Sequence, residues 1–247
     1  MRFDLVTLFP ELFAPFLAAG VTRRAYETKQ VDVRLWNLRD FAEGNYRRVD
    51  DRPFGGGPGM VMMAEPLARC LAAVKADRAD AAPVVLFSPI GERLDHAGVE
   101  RWSASRGAIL VCGRYEGIDQ RFIDTHVDVQ LSLGDFVLSG GEIAAMALLD
   151  AVARLQPGVL NDAGSHQEDS FNPALDGLLD CPHYTRPEEW EGRKAPEELL
   201  SGHHARIAEW RRRQRLAVTA KHRPDLIAAA RQAGRLTPVD EAFLATL

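Results

Sequence analysis

The sequence contains few cysteines and no long apolar run, and each absence excludes a class of protein. Only three of the 247 residues are cysteine, and no Cys-x-x-Cys is present. This excludes a disulfide scaffold, a redox motif and a zinc ribbon. No stretch approaches the roughly 20 apolar residues of a membrane span, and acidic Asp4 and Glu11 interrupt the region that a signal peptide would need apolar. We therefore expect a cytoplasmic protein without a membrane partner.

Familiar metal and nucleotide motifs are also missing. The seven histidines show no metal-ligand spacing, so we expect no metal site. The glycine-rich segment 54–60, FGGGPGM, is not followed by the Lys-Ser/Thr of a phosphate-binding loop. No Gly-x-Gly-x-x-Gly follows a strand, which disfavours an ordinary dinucleotide-binding domain or Rossmann-type methyltransferase.

The charge is unevenly distributed. The formal net charge of −5 argues mildly against a nucleic-acid partner, because binding to phosphates favours a basic surface. However, residues 203–235 contain nine basic and two acidic side chains, whereas residues 161–202 contain three and ten. One helix-sized part of an acidic protein is therefore strongly basic.

The first 160 residues alternate apolar, β-branched runs with helical patterns. This alternation predicts an α/β domain with a largely parallel sheet. Ser139 and Glu142 form the pattern of a capping box at the start of the second of two predicted helices, 65–76 and 142–155. The predicted strands are Phe3–Phe9, Val31–Leu38, Val84–Ser88, Ile109–Cys112 and Val127–Leu131.

The apolar content and the pattern of predicted elements change after residue 160. Residues 161–174 have almost no apolar content and predict an exposed, flexible linker. From residue 175 to residue 247 strand patterns vanish, which predicts a small helical domain. We therefore expect an α/β domain over 1–160, a linker over 161–174 and a helical domain over 175–247.

Three glycine-rich loops directly follow predicted strands. They are Ser88–Gly91, Gly113–Gly117 and Ser132–Gly141. In open parallel sheets, ligands bind outside the carboxyl ends of the strands, where glycine permits close approach of the backbone. For each loop alone, a simple turn is the better explanation of the glycines. Together the three loops favour one small-molecule site, in which Tyr115 or Phe136 would wall a flat heterocycle such as adenine.

The linker contains Glu168, Asp169 and Ser170, for which two interpretations remain open. Acidic residues of a linker are most often only solvated. Alternatively, a carboxylate on such a loop closes over a site and acts as a general base. A hydrolase triad of Ser165, His166 and Asp169 is disfavoured, because triad members normally come from separate elements.

Arginines on two predicted helices also have two interpretations each. Arg154 either forms an ion pair with Asp150 one turn earlier in the helix, or its guanidinium hydrogen-bonds a ligand such as the edge of a purine base. Arg211, Arg212 and Arg215 on the basic helix form either a solvated face or a contact with phosphates.

Eight sequence strings in order carry a resemblance to a known family. They are LFPELF near the start, DDRPFGGGPGM at 50–60, FSPIG at 87–91, CGRYEGIDQR at 112–121, LGDFVLSGGE at 133–142, EDSF at 168–171, LLDCPHYTRPEEWEG at 178–192 and LLSGHHARIAEWR at 199–211. Over essentially its whole length the chain resembles the bacterial tRNA (guanine-N1)-methyltransferases, the TrmD family of SPOUT-class enzymes.

The resemblance implies a homodimer of α/β domains with a trefoil knot, each bearing a helical C-terminal domain that binds the anticodon stem-loop of tRNA. The cofactor would be S-adenosyl-L-methionine (AdoMet), and the active site would lie at the subunit interface. The resemblance leaves open whether Mg²⁺ is needed. The positions that match cofactor-binding residues of the family are Ser88, Pro89, Gly113, Tyr115, Glu116, Gly117, Leu133, Gly134, Asp135, Phe136, Val137, Leu138, Gly140 and Gly141.

The implied reaction transfers a methyl group to N1 of the guanine at tRNA position 37, directly 3′ of the anticodon, and so helps to maintain the reading frame. Asp169 would remove the N1 proton and Arg154 would stabilise the charge that develops at O6. The family pattern also assigns tRNA contacts to Arg114, Ser165, Arg211, Arg212 and Arg215. The alternatives are an RNA-binding protein of the same fold without catalysis and, more distantly, a hydrolase.

Overall fold

The computed structural model describes residues 1–160 and 166–247. The chain divides into two compact units, Met1–Asn161 and Asp162–Leu247. The N-terminal unit is built on a central sheet, and the C-terminal unit consists mainly of helices.

A five-stranded parallel sheet forms the centre of the N-terminal unit. Its strands are β1 (Arg2–Thr7), β2 (Asp32–Asn37), β5 (Val84–Arg93), β6 (Gly107–Val111) and β7 (Val129–Ser132). They lie in the order β2-β1-β6-β5-β7, and all neighbouring pairs are parallel. Two short strands, β3 (Asp50–Asp51) and β4 (Val61–Met62), form a separate antiparallel pair. The predicted α/β class with a parallel sheet is confirmed.

Helices cover both faces of this sheet. They are α1 (Phe13–Ala18), α2 (Arg23–Glu27), α3 (Ala64–Asp77), α4 (His96–Ser103), α5 (Gln120–His126) and α6 (Glu142–Arg154). Short 3₁₀ turns occupy Pro10–Leu12 and Leu38–Phe41. Alternate residues of β6 point to opposite faces, so that Leu110 packs in a core with Leu148 of α6 and Ile109 in a core with Leu71 of α3. This burial on both sides explains why β6 is a continuous apolar run.

The C-terminal unit packs its helices around a small core. It contains a 3₁₀ turn (Pro173–Leu175) followed by α7 (Glu197–Leu200), α8 (His204–His222), α9 (Pro224–Gln232) and α10 (Pro238–Leu244). Leu178, Leu216 and Ile227 are buried together.

The expectation of no strands after residue 175 is wrong in one place. Strands β8 (Glu189–Trp190) and β9 (Arg193–Lys194) form an exposed antiparallel hairpin. Each strand has only two residues, and Glu191 and Gly192 between them adopt the positive φ angles of a tight turn. So short a strand pair leaves no alternating apolar pattern to detect. No helix among the described residues has both the length and the apolarity to cross a bilayer.

Candidate ligand cleft and catalytic segment

A cleft of about 310 Å³ opens at the carboxyl ends of β5, β6 and β7. All three glycine-rich loops line it, as expected from the parallel topology. Of the residues that the sequence assigns to the cofactor, all but Asp135 line the cleft. Asp135 instead lies in solvent, 3.4 Å from Arg93. The cleft is also lined by residues that were not predicted to bind the cofactor, namely Leu86, Phe87, Arg114, Ile118, Ile123, Leu131, Ser132, Ser139 and Ala144.

The first loop is a bulge inside β5. The sequence predicts that the strand ends at Ser88, but β5 continues to Arg93, and both Phe87 and Glu92 pair with Leu131 of β7. The residues between them therefore leave the ladder, and Ser88 and Pro89 among them line the cleft. A Cβ at Gly91 would lie 2.5 Å from the backbone nitrogen of Leu131, so only glycine fits at this crossing.

The second loop, Gly113–Gly117, is held by the end of the glycine-rich segment 54–60 and by β4. The N–H of Glu116 donates to the carbonyl of Met60, and the N–H of Met62 donates to the carbonyl of Gly117. Tyr115 has a φ of 62°, and burial, together with nearby Asp50, raises the pKa of its phenol. Residues near 60 therefore support the cleft wall, a role for which the sequence carried no local signal.

The third loop, Ser132–Gly141, begins at the last residue of β7 and returns to the end of β6. The N–H of Gly141 donates to the carbonyl of Gly113 at 2.9 Å. Phe136 and Val137 of this loop are exposed. The backbones of two glycine-rich loops thus meet directly beside the cleft.

The predicted capping box at the start of α6 is wrong. The N-cap is Gly141, without a side-chain cap, rather than Ser139. The carboxylate of Glu142 points inward, accepting hydrogen bonds from Thr7 Oγ1 at 2.8 Å and Arg114 Nε at 2.9 Å. Arg114, predicted to contact tRNA, is thus engaged inside its own unit.

The predicted catalytic residues belong to different units. Arg154 is the last residue of α6 in the N-terminal unit, whereas Asp169 lies in the C-terminal unit on a half-buried turn. The carbonyl of Asp169 accepts the N–H of Asn172, and Ser170 Oγ accepts the N–H of Asp180 at 2.9 Å. Ser165, with the rest of 161–165, lies outside the described residues.

The three arginines of α8 have different surroundings. Arg211 is 43% exposed, and a carboxylate oxygen of Glu168 lies 3.8 Å away. Arg212 instead forms a two-pronged pair with Asp240, 2.9 Å on each branch, and reaches Asp176 at 2.7 Å. Arg215 is 13% exposed and its Nε donates to Asp180.

These contacts shift the pKa values of the carboxylates. The hydrogen bonds from Arg212 lower the pKa of Asp240 to about 2, against the opposing effect of burial. Burial would raise the pKa of Asp180, but hydrogen bonds from the Cys181 N–H and the Arg215 side chain outweigh it and lower the pKa. Among the residues that the structure describes, no group of three or more His, Cys, Asp or Glu side chains could hold a metal ion.

The fold and cleft define a parallel α/β protein whose glycine-rich loops enclose a small-ligand pocket, joined in one chain to a helical unit with a basic helix. The model of the tRNA (guanine-1)-methyltransferase TrmD family matches residues 1–229, and the chain belongs to this family. It is 78% identical to the tRNA (guanine-N(1)-)-methyltransferase of Paracidovorax citrulli, with 100% of this chain and 98% of that protein covered. The enzymes of the same name from Polaromonas and Bordetella pertussis are 75% and 59% identical, with 97% and 98% of their lengths covered and 100% of this chain in each case.

Proposed function

We propose that this protein methylates N1 of guanine in tRNA, at position 37, with AdoMet as methyl donor. The observation that carries the proposal is the convergence of all three glycine-rich loops on one cleft in a chain whose family match covers residues 1–229. The protein would act in the cytoplasm and help to maintain the translational reading frame.

The residues of the cleft suit AdoMet. Its volume lies at the lower end of the range for small-ligand pockets. Tyr115 and Phe136 offer aromatic surface to an adenine, and the loops offer backbone amides and carbonyls at its edge. When bound, AdoMet supplies a methyl group on a sulfonium, an electrophile that needs no metal for transfer. If Mg²⁺ is required, it would act by binding the RNA or by balancing the charge of the site, and not by activating the methyl group.

The proposed chemistry depends on a proton. N1 of neutral guanine carries hydrogen, so its electron pair becomes available only when that proton leaves. Asp169 accepts the proton, which leaves the electron pair of N1 available for a bond to the methyl carbon. AdoMet would supply that methyl group and leave as S-adenosylhomocysteine. Negative charge that develops at O6 is stabilised by Arg154. The base can be turned out of an anticodon loop at modest cost because it is single-stranded.

The proposed assembly is a homodimer of knotted domains, with the site at the subunit interface. The close approach of the third loop to the end of β6 supports a knotted path for the chain. Large apolar side chains near the cleft are exposed, among them Ile90 and Val137 at 81% and 88%, which supports a covering subunit. Residues 161–174 act as the linker, and the basic helix α8, with Arg211, Arg212 and Arg215, binds anticodon-stem phosphates. Arg114 and Ser165 join these contacts.

The direct test is methylation of unmodified tRNA with labelled AdoMet, followed by mapping of the modified base. Asp169→Ala should abolish methyl transfer while AdoMet binding by calorimetry stays within about twofold. Glu168→Ala is the matched control, because it removes the neighbouring carboxylate and should leave turnover measurable. Full turnover by Asp169→Ala would refute the assignment of the base, and a label at another base, or none, would refute the proposed activity.

A further inference from the structure

Glu142 is a buried carboxylate for which the proposed chemistry has no use. It is 0% exposed at the first residue of α6, yet it accepts hydrogen bonds from Thr7 and Arg114. A carboxylate is costly to bury unless it is paired and hydrogen-bonded. Its position beside the cleft makes its role a question about ligand binding as well as stability.

Its partner Arg114 connects three segments of the N-terminal unit. Its backbone lies in the second loop, while its Nη1 donates to the carbonyl of Ser139 in the third loop at 3.2 Å. The guanidinium carbon lies 4.6 Å from the ring centroid of Phe9, just beyond β1. Gly140 packs so closely on the Arg114 side chain that it leaves no room for a Cβ. The side chain therefore bridges both glycine-rich loops and the end of β1.

The ion pair acts on the same two cleft walls as the backbone contact between Gly141 and Gly113. That hydrogen bond joins the walls at one point. The planar guanidinium of Arg114 joins them at two more, through Nε to Glu142 and Nη1 to Ser139. A lysine has one ammonium and cannot reproduce this fork.

We propose that Glu142 and Arg114 form a clasp that fixes the separation of the second and third loops, which makes Glu142 a positioning residue for the methyl-donor site. The inference rests on the proposed function only in taking AdoMet as the ligand of the cleft. It assigns Arg114 a role inside the protein that is separate from any contact with tRNA.

The test measures AdoMet dissociation constants by calorimetry on the full-length protein, with S-adenosylhomocysteine as a second probe. Glu142→Ala and Arg114→Ala should each raise both dissociation constants about tenfold. A change of this size is within the range of interaction energies between residues of one ion-pair network. The double variant should be no weaker than either single variant, because each removes the same clasp. Glu142→Gln keeps the shape but loses the charge and replaces one of the two accepting oxygens by an N–H donor, so we expect an increase of about threefold. Arg114→Lys should not restore affinity.

Asp4 provides the matched control for stability. It is also a 0% exposed carboxylate that pairs with arginines, at 2.7 Å to Arg2 and 2.5 Å to Arg78, but it lies near the start of β1, away from the cleft. Asp4→Asn should lower the melting temperature and leave the AdoMet dissociation constant within about twofold of the wild type, since no cleft residue depends on it.

Three outcomes would overturn the clasp. One is a rise in the KM for tRNA in Arg114→Ala with unchanged AdoMet affinity, which would make Arg114 an RNA contact only. Another is additive loss in the double variant. The third is an equal loss of affinity in Asp4→Asn, which would reduce the effect to general destabilisation. Failure of the proposed function can be distinguished from failure of the clasp, because in that case the wild-type protein itself would not methylate guanine N1.

Discussion

Replacing Gly141 by alanine isolates the close approach of the two cleft walls. Gly141 has φ −75° and ψ −10°, angles that alanine adopts without strain. A Cβ at this position would lie 2.8 Å from the Cα of Cys112 and 3.1 Å from the backbone nitrogen of Gly113. Both are backbone atoms that cannot rotate away. The substitution therefore tests only the space between the third loop and the end of β6.

The expected cost follows from these distances. An ordinary contact needs about 3.4 Å, so the start of α6 must move outward by about 0.6 Å. Overpacking of this kind costs about 1–3 kcal/mol. For a unit of this size that lowers the melting temperature by roughly 2–12 °C. AdoMet would have to contact both walls at their wild-type separation, so its affinity should fall by up to the same free energy, about 5- to 150-fold.

Calorimetry of AdoMet binding and thermal unfolding measure the two effects on the same samples. Gly98→Ala is the control, because its Cβ in α4 would meet the ends of side chains and no backbone atom, with Asp95 and Leu94 at 3.3 Å and Arg101 at 3.7 Å. That variant should change stability by less than about 1 kcal/mol. A Gly141→Ala protein with the melting temperature and AdoMet affinity of the wild type would refute the proposed tight apposition of the walls.

Two further predictions concern the C-terminal unit. Arg211→Ala should reduce the slope of log binding constant against log salt concentration for tRNA by about 0.7–0.9, with little change in melting temperature. Arg212→Ala should instead lower the free energy of unfolding by about 1–3 kcal/mol, because it leaves Asp240 without its two-pronged partner. Equal changes of the slope in both variants, with no loss of stability in either, would contradict this distinction. Since the pKa of Asp240 is about 2 in the folded protein and near its ordinary value when unfolded, up to about 2 kcal/mol of stability should be present above pH 4 and be lost as the pH falls to 2. Calorimetric unfolding between pH 2 and 5 should show this loss in the wild type and not in Asp240→Asn, and identical pH profiles would refute it.

The sheet and the position of the cleft were predictable because they depend on local patterns. Apolar runs separated by helical windows indicate parallel strands, and parallel strands place their carboxyl ends at one edge. Three glycine-rich loops that follow such strands must therefore lie near each other. The bulge at Gly91 was not predictable, because the need for glycine there arises from the backbone of Leu131 on another strand.

The partners of charged residues were not predictable, because they lie far away in the sequence. Glu142 fits the local pattern of a cap, but its partner Arg114 precedes it by 28 residues. Arg212 fits a single-signed basic helix, but Asp240 follows it by 28 residues. Spacing rules within one helix take account of the charges on that helix only. They do not predict the carboxylates that pack against it from other elements of the fold.

The same contacts change what the basic composition of α8 implies for RNA binding. Arg212 and Arg215 are paired with carboxylates at 2.7–3.2 Å, whereas the carboxylate that approaches Arg211 among the described residues, on Glu168, stays 3.8 Å away. A phosphate that approaches Arg212 must compete with two carboxylates already in place, but at Arg211 it competes with one loosely placed, exposed group. The number of counterions released on binding should therefore be smaller than the count of arginines on the helix, with Arg211 making the largest single contribution among these three.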